Sequence, residues 1–146
     1  MKDFIEQEII YAVKKLLTST VNDYLRKNEF VIPFIEFRGS ECGYVVTPVI
    51  SLSSSEGTEK ERIIRQDVFT LIITFNIPEN RDSELHCYAY SSALGKAVHD
   101  NPTLGCVVDK AVITGKKYLS PKKPHCGEAW ELVITLRATV EGMRQI

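Results

Sequence analysis

The clearest alternation of apolar and polar positions lies in the second half of the chain. From Asp67 to Ile77 the odd positions Phe69, Leu71, Ile73, Phe75 and Ile77 are all apolar, whereas Val68, Thr70, Ile72, Thr74 and Asn76 are mixed. Successive side chains of a strand point to opposite faces. The run therefore predicts a strand with one core face and a second face that is partly exposed or meets another surface. Pro78 ends it. The pattern returns from Glu128 to Glu141, where Trp130, Leu132, Ile134, Leu136, Ala138 and Val140 alternate with Glu131, Val133, Thr135, Arg137, Thr139 and Glu141. The two runs are candidates for adjacent central strands whose shared apolar face packs on helices. Between them the chain predicts a polar turn, a small-residue helix from about Glu84 to His99, and a strand from Cys106 to Ile113. The helix carries Cys87, Tyr90, Ala93, Leu94, Ala97 and Val98 on one side, with Ala89 and Ser92 beside them. Gly95 costs it about 1 kcal/mol relative to alanine, which points to a close backbone contact or a frayed last turn. Asn101-Pro102 closes it.

The first half is read with the same rules. Ile5, Ile9, Ala12, Val13, Leu16, Leu17, Val21 and Leu25 fall at helical spacing, predicting one helix from Lys2 to about Arg26 with a single buried stripe. Phe30 to Phe37 is strand-like but broken by Pro33, so an edge strand or extended lead-in is expected, followed by a turn at Arg38–Gly43. Tyr44 to Leu52 is a further strand, with Pro48 placing part of it at an edge or bulge. Ser53 to Arg62 is the least hydrophobic segment and reads as a flexible loop, either a plain hairpin tip or an arm that orders against a partner. Gly115 to Gly127 reads as a second flexible loop, carrying Lys116, Lys117, Lys122 and Lys123. Together these predict a single α+β domain over residues 1–146: a mixed, mainly antiparallel sheet of four to five strands packed against two helices.

Composition narrows the function classes. A 146-residue chain with 44% hydrophobic and 25% charged residues suits one globular domain. Its net charge of −1 gives no general attraction for nucleic acid. No apolar run approaches the roughly 20 residues of a membrane span, and the acidic start Met1-Lys-Asp-Phe-Ile-Glu-Gln-Glu is unlike a secretory leader, so no membrane association is expected. Cys42, Cys87, Cys106 and Cys126 contain no CxxC pair and are expected to be reduced thiols. His86-Cys87 and His125-Cys126 are adjacent pairs, which regular structure splits between faces, so no metal is expected there. Neither a phosphate-binding glycine loop, nor a GxSxG elbow, nor HExxH spacing occurs. No catalytic residue and no cofactor is assigned.

Element order and residues together carry a resemblance. The strand Val68-Phe-Thr-Leu-Ile-Ile-Thr-Phe75, the helix around Tyr88-Ala-Tyr-Ser-Ser-Ala-Leu94, Asn101-Pro-Thr-Leu-Gly105 leading into Val107–Ile113, and the closing strand Trp130–Glu141 resemble small tail proteins of long-tailed bacteriophages. The likeness is to the tail-terminator and tail-completion group, with related neck and head–tail joining proteins. It covers the last half of the chain well and the first half in outline.

The resemblance implies a non-enzymatic assembly protein, found in the host cytoplasm during assembly and then in the virion tail. It implies a ring, usually hexameric, that caps the tail tube and offers a surface to the head connector, with DNA contact only where DNA passes through the lumen. A cyclic ring joins two different patches of each subunit. Candidates are the second face Val68, Thr70, Ile72 and Thr74 and the proline-bearing edge Tyr44–Leu52. By the same analogy the two loops, through Glu56, Glu59, Lys60, Arg62, Lys116, Lys117, Lys122 and Lys123, face the tube, the connector or the lumen. A neck or connector protein is the alternative within this class. Outside it stand a small enzyme using Cys126 and His99, and a small-molecule or nucleic-acid binding module built on the basic loop.

Overall fold

A computed structural model describes residues 4–27, 33–37, 45–60, 64–78, 82–121 and 129–141. The fold is α+β. Four strands form one antiparallel sheet: β3 (Val49–Lys60), β4 (Ile64–Pro78), β5 (Lys110–Leu119) and β6 (Ala129–Glu141), in the order β3-β4-β6-β5. The two strongly alternating runs are the adjacent central strands, paired from Gln66↔Glu141 to Pro78↔Ala129. A separate parallel pair, β1 (Phe34–Ile35) and β2 (Val45–Val46), lies on the path into β3, with Thr47 and Pro48 separating β2 from β3.

One face of the sheet is the core. Phe69, Leu71, Ile73, Phe75 and Ile77 of β4 and Leu132, Ile134, Leu136, Ala138 and Val140 of β6 are all buried. Helix α3 (Ser83–Asp100) lies on this face and contributes Cys87, Tyr90, Ala93, Leu94, Ala97 and Val98. Tyr90 stacks on Phe75 with ring centroids 5.2 Å apart and donates its hydroxyl proton to the Pro33 carbonyl. Ser91 is buried beside this stripe, whereas Ser92 is exposed. Gly95 sits opposite the end of a side chain: a Cβ there would meet Lys116 Nζ at 3.3 Å. Helix α3 ends as expected, with Asn101 Nδ2 donating to the Ala97 carbonyl at 2.9 Å.

The amino-terminal helix departs from a regular spiral. Helix α1 (Ile5–Leu16) runs into a π-helical stretch, Leu17–Val21, and then a short α2 (Asn22–Leu25). The wider ladder of a π stretch leaves carbonyls poorly served, and polar side chains take over. Thr18 Oγ1 donates to Lys14 O at 3.1 Å, and Ser19 Oγ to Lys15 O at 2.7 Å. Asn22 is buried and does most. Its Nδ2 donates to Thr18 O and Ile35 O, both at 3.0 Å, while its Oδ1 accepts from the Ile35 N–H at 2.9 Å. One amide thus pairs with a strand residue as a neighbouring backbone would, fixing β1 to the helix.

Three expected boundaries are corrected. Ser53 to Lys60 is not a loop; it continues β3, paired with β4 as far as Lys60↔Ile64, and Arg62 lies outside the described residues. This segment has no apolar face to bury, so backbone pairing along the length of β4 holds it. The loop expected from Gly115 begins later, because Gly115 to Leu119 is strand; Lys122, Lys123, His125 and Cys126 lie outside the described residues. The strand expected from Cys106 starts at Lys110. Leu104, Gly105 and Cys106 have φ of 50°, 73° and 69°, a left-handed turn that no strand can include. Leu104 and Val108 are buried and hold that turn on the core, and the Val107 N–H closes it onto Thr103 O at 3.0 Å.

Candidate interaction surface

The second face of the sheet is built by the same alternation that makes the core. Register places Val49, Ser51, Ser54 and Glu56 of β3 on it, beside Thr74, Ile72, Thr70 and Val68 of β4. Next come Val133, Thr135, Arg137 and Thr139 of β6, then Lys117, Gly115, Val112 and Lys110 of β5. Among the described residues no helix or strand covers this face. Val68, Thr70, Ile72, Thr74, Val133, Thr135 and Thr139 are half-buried, while Val49 is 57% and Val112 39% exposed. The result is a floor of β-branched side chains with Glu56, Lys110, Lys117 and Glu131 at its margins and one exposed charge, Arg137 of β6, in its middle between Thr70 and Val112.

The expected contact residues therefore divide. Val68, Thr70, Ile72 and Thr74 share the open face with Glu56 and Lys117. Lys116 does not. It points to the helix side, where Nζ donates to the Ser91 carbonyl at 3.3 Å. The two neighbouring lysines thus lie on opposite faces of the strand. Glu59 and Lys60 are placed by backbone at the far end of β3, paired with Arg65 and Ile64.

Reasoning from the sequence passed over two further features. Lys110 and Val112 belong to the open face because β5 runs through them with period 2. On the helix side, Tyr88 meets Tyr118 edge-on with centroids 5.5 Å apart, and Tyr118 OH lies 2.7 Å from Ser91 Oγ. Tyr88 donates to Glu84 Oε1 at 2.7 Å, and that hydrogen bond, with a smaller contribution from burial, raises the Tyr88 pKa. Leu85 is a further exposed apolar group on α3, whereas Leu119, opposite Glu131, lies on the open face.

The remaining surface carries grooves. An open groove of about 1020 Å³ runs between α1 and the turn at 101–107, lined by Ile5, Glu8, Tyr11, Lys15, Leu104 and Cys106 among others. A smaller one, of about 430 Å³, lies where Lys14 Nζ sits 5.3 Å above the Phe37 ring. Cys106 is exposed beside the first groove, His99 is exposed at the end of α3, and Cys87 is buried in the core. Burial, and secondarily the Glu84 carboxylate, pushes the Cys87 thiol up to about 11. Among the described residues no three His, Cys, Asp or Glu side chains gather where a metal ion would fit, and no helix is long and apolar enough to cross a membrane.

No protein-family model matches the chain, and no curated protein is significantly similar to it.

Proposed function

We propose that this chain is a structural assembly protein of a bacteriophage or prophage tail, a ring-forming terminator that caps the tail tube and presents a surface for head joining. The observation that carries this reading is the open face of the sheet. Apart from the exposed Arg137, its central strands are β-branched and half-buried there, with no described helix or strand laid over them. A solvated antiparallel sheet ordinarily alternates apolar with plainly polar positions. This one instead presents Val68, Ile72 and Val133 among threonines, a surface suited to contact with another protein. Element order and the residues of β4, α3 and β6 add the resemblance to tail-completion proteins. On this reading the charged margins, Glu56 and Lys117 among them, meet a second copy, the tube or the connector. A neck protein of the same class would use the same face and is the second reading.

The test is association. Light scattering and native mass spectrometry of the chain, alone and with tail-tube protein, are expected to give a discrete ring that closes in solution or on the tube end. A chain that stays monomeric and leaves the tube unbound would refute the proposal. Replacing Ile72 by aspartate should abolish ring formation while the circular dichroism stays native.

A further inference from the structure

The open face supplies one patch of a heterologous contact, and such a contact needs a second, different one. Of the large apolar side chains left exposed, Tyr11 at 72% and Phe4 at 71% are the most exposed, and both belong to the amino-terminal helix. Phe4 sits at the N-cap of α1 and Tyr11 lies seven residues further on. Residues four and seven apart recur on one side of a helix, so Phe4, Glu8, Tyr11 and Lys15 form one stripe. All four are exposed, whereas Ile9, Val13 and Leu16 turn inward and join the core under the sheet. The stripe therefore looks away from the sheet, on the opposite side of the molecule from the open face. The groove between α1 and the turn at 101–107 runs beside it, with Ile5, Ala12, Leu104 and Val107 in its wall.

Charge and spacing match the stripe to the open face. Arg137 is the long side chain that rises from the middle of that floor of valine, isoleucine and threonine. Glu56 stands two strands away on β3, in the next rung. With strands about 4.8 Å apart and like-facing rungs about 6.8 Å apart, Arg137 and Glu56 are separated by about 12 Å. Glu8 and Lys15, seven residues apart on α1, are separated by about 10.5 Å along its axis. The order of signs is complementary, so Glu8 falls on Arg137 when Lys15 falls on Glu56. Tyr11 then lies between them, over Val68 and Thr70, and Phe4, beyond Glu8, reaches β5 between Val112 and Gly115. Gly115 leaves a hollow there: where a Cβ would stand, the nearest atoms are those of Thr135 at 3.9 Å. A guanidinium placed beside Glu8 and Tyr11 meets a carboxylate and an aromatic ring, two groups that suit it. Among the described residues none of Glu8, Lys15, Glu56 and Arg137 has an ion-pair partner within its own chain.

We infer that copies of this chain join front to back, the α1 stripe of one laid on the open face of the next, with Glu8 on Arg137 and Lys15 on Glu56. This rests on the ring-forming reading and names the two patches of its heterologous contact. Every copy gives its face to one neighbour and its helix to another, and the chain of contacts closes into a ring when the rotation between neighbours closes. The symmetric alternative, two open faces packed on each other, leaves Phe4 and Tyr11 uncovered.

The test mixes two variants. Glu8→Lys/Tyr11→Ala spoils the helix patch and keeps the face, and Ile72→Asp does the reverse. By light scattering each alone should lose self-association by roughly tenfold or more, with circular dichroism unchanged. An equimolar mixture should give a complex of two copies that grows no further, because one intact junction remains. A second arm exchanges charge and remains decisive if Ile72→Asp disturbs folding. Glu8→Arg and Arg137→Glu should each weaken association by roughly tenfold at low salt, and the double variant should restore it to within about twofold. Normal rings from the helix-patch variant would overturn the junction and leave the ring reading standing. A mixture of folded variants that does not associate, or a double variant as weak as the single ones, would do the same. Failure of the wild-type chain to associate, alone or on the tube, would overturn both.

Discussion

Asn22 is the side chain whose removal best tests how the helix layer is tied to the strands. Replacing it by alanine removes three hydrogen bonds, two of them to the buried backbone of Ile35 and one to Thr18 O. The side chain that stays behind is not the issue; the orphaned backbone is. Ile35 is fully buried, so its N–H and C=O lose their partner where water does not replace it. A buried polar group left unsatisfied costs about 1–3 kcal/mol, and two are affected. Alanine returns about 0.6 kcal/mol of helix propensity. The net loss expected is about 2–4 kcal/mol, a large share of the stability of a domain this size. Urea unfolding followed by circular dichroism should show the midpoint falling by about 1–2 M. Hydrogen exchange should show the Ile35 amide losing protection more than amides of β4 or β6. Thr18→Val is the control. Its hydroxyl bonds to Lys14 O and Lys15 O are exposed, so its loss should cost under about 1 kcal/mol. An Asn22→Ala protein within about 0.5 kcal/mol of wild type, with Ile35 still protected, would refute this reasoning.

Gly95→Ala should stabilise the protein by about 0.5–1 kcal/mol, a rise of a few degrees in Tm by calorimetry, because the new Cβ meets only the mobile end of Lys116. Phe75→Ala should cost about 3–5 kcal/mol in chemical denaturation, since it empties the space under Tyr90 at the centre of the core. Cys87, buried and with its thiol pushed up to about 11, should resist maleimide at pH 8 in the native protein and react on unfolding, as peptide mass mapping would show, whereas exposed Cys106 reacts in both states. Because folding raises this pKa, its contribution to stability is complete below the unfolded thiol value and is lost as pH rises toward about 11, so urea midpoints should fall across that alkaline window.

What the sequence revealed follows the physics that patterning reports. Period-2 alternation identified β4 and β6, their buried face and their adjacency, because burial on one face is what such alternation records. The buried stripe of α1 and α3 was legible for the same reason. Ser53 to Lys60 was not: the segment carries no apolar signal, and its pairing is dictated by the length of β4 rather than by its own side chains. Lys116 and Lys117 looked like one basic cluster in a loop, but strand geometry sends them to opposite faces. The π stretch at Leu17–Val21 left a trace in the run Thr18-Ser-Thr20 before Asn22, yet the partner that explains it, Ile35, is distant in sequence. The left-handed turn at Leu104–Cys106 was hidden because only one of its three residues is glycine.

The measurement that tests the central claim most directly is the length distribution of tail tubes, by electron microscopy, from a phage or prophage in which this gene is deleted. Tubes extended well beyond the wild-type length, with no heads attached, are the predicted result. Tubes of normal, uniform length bearing heads would contradict it.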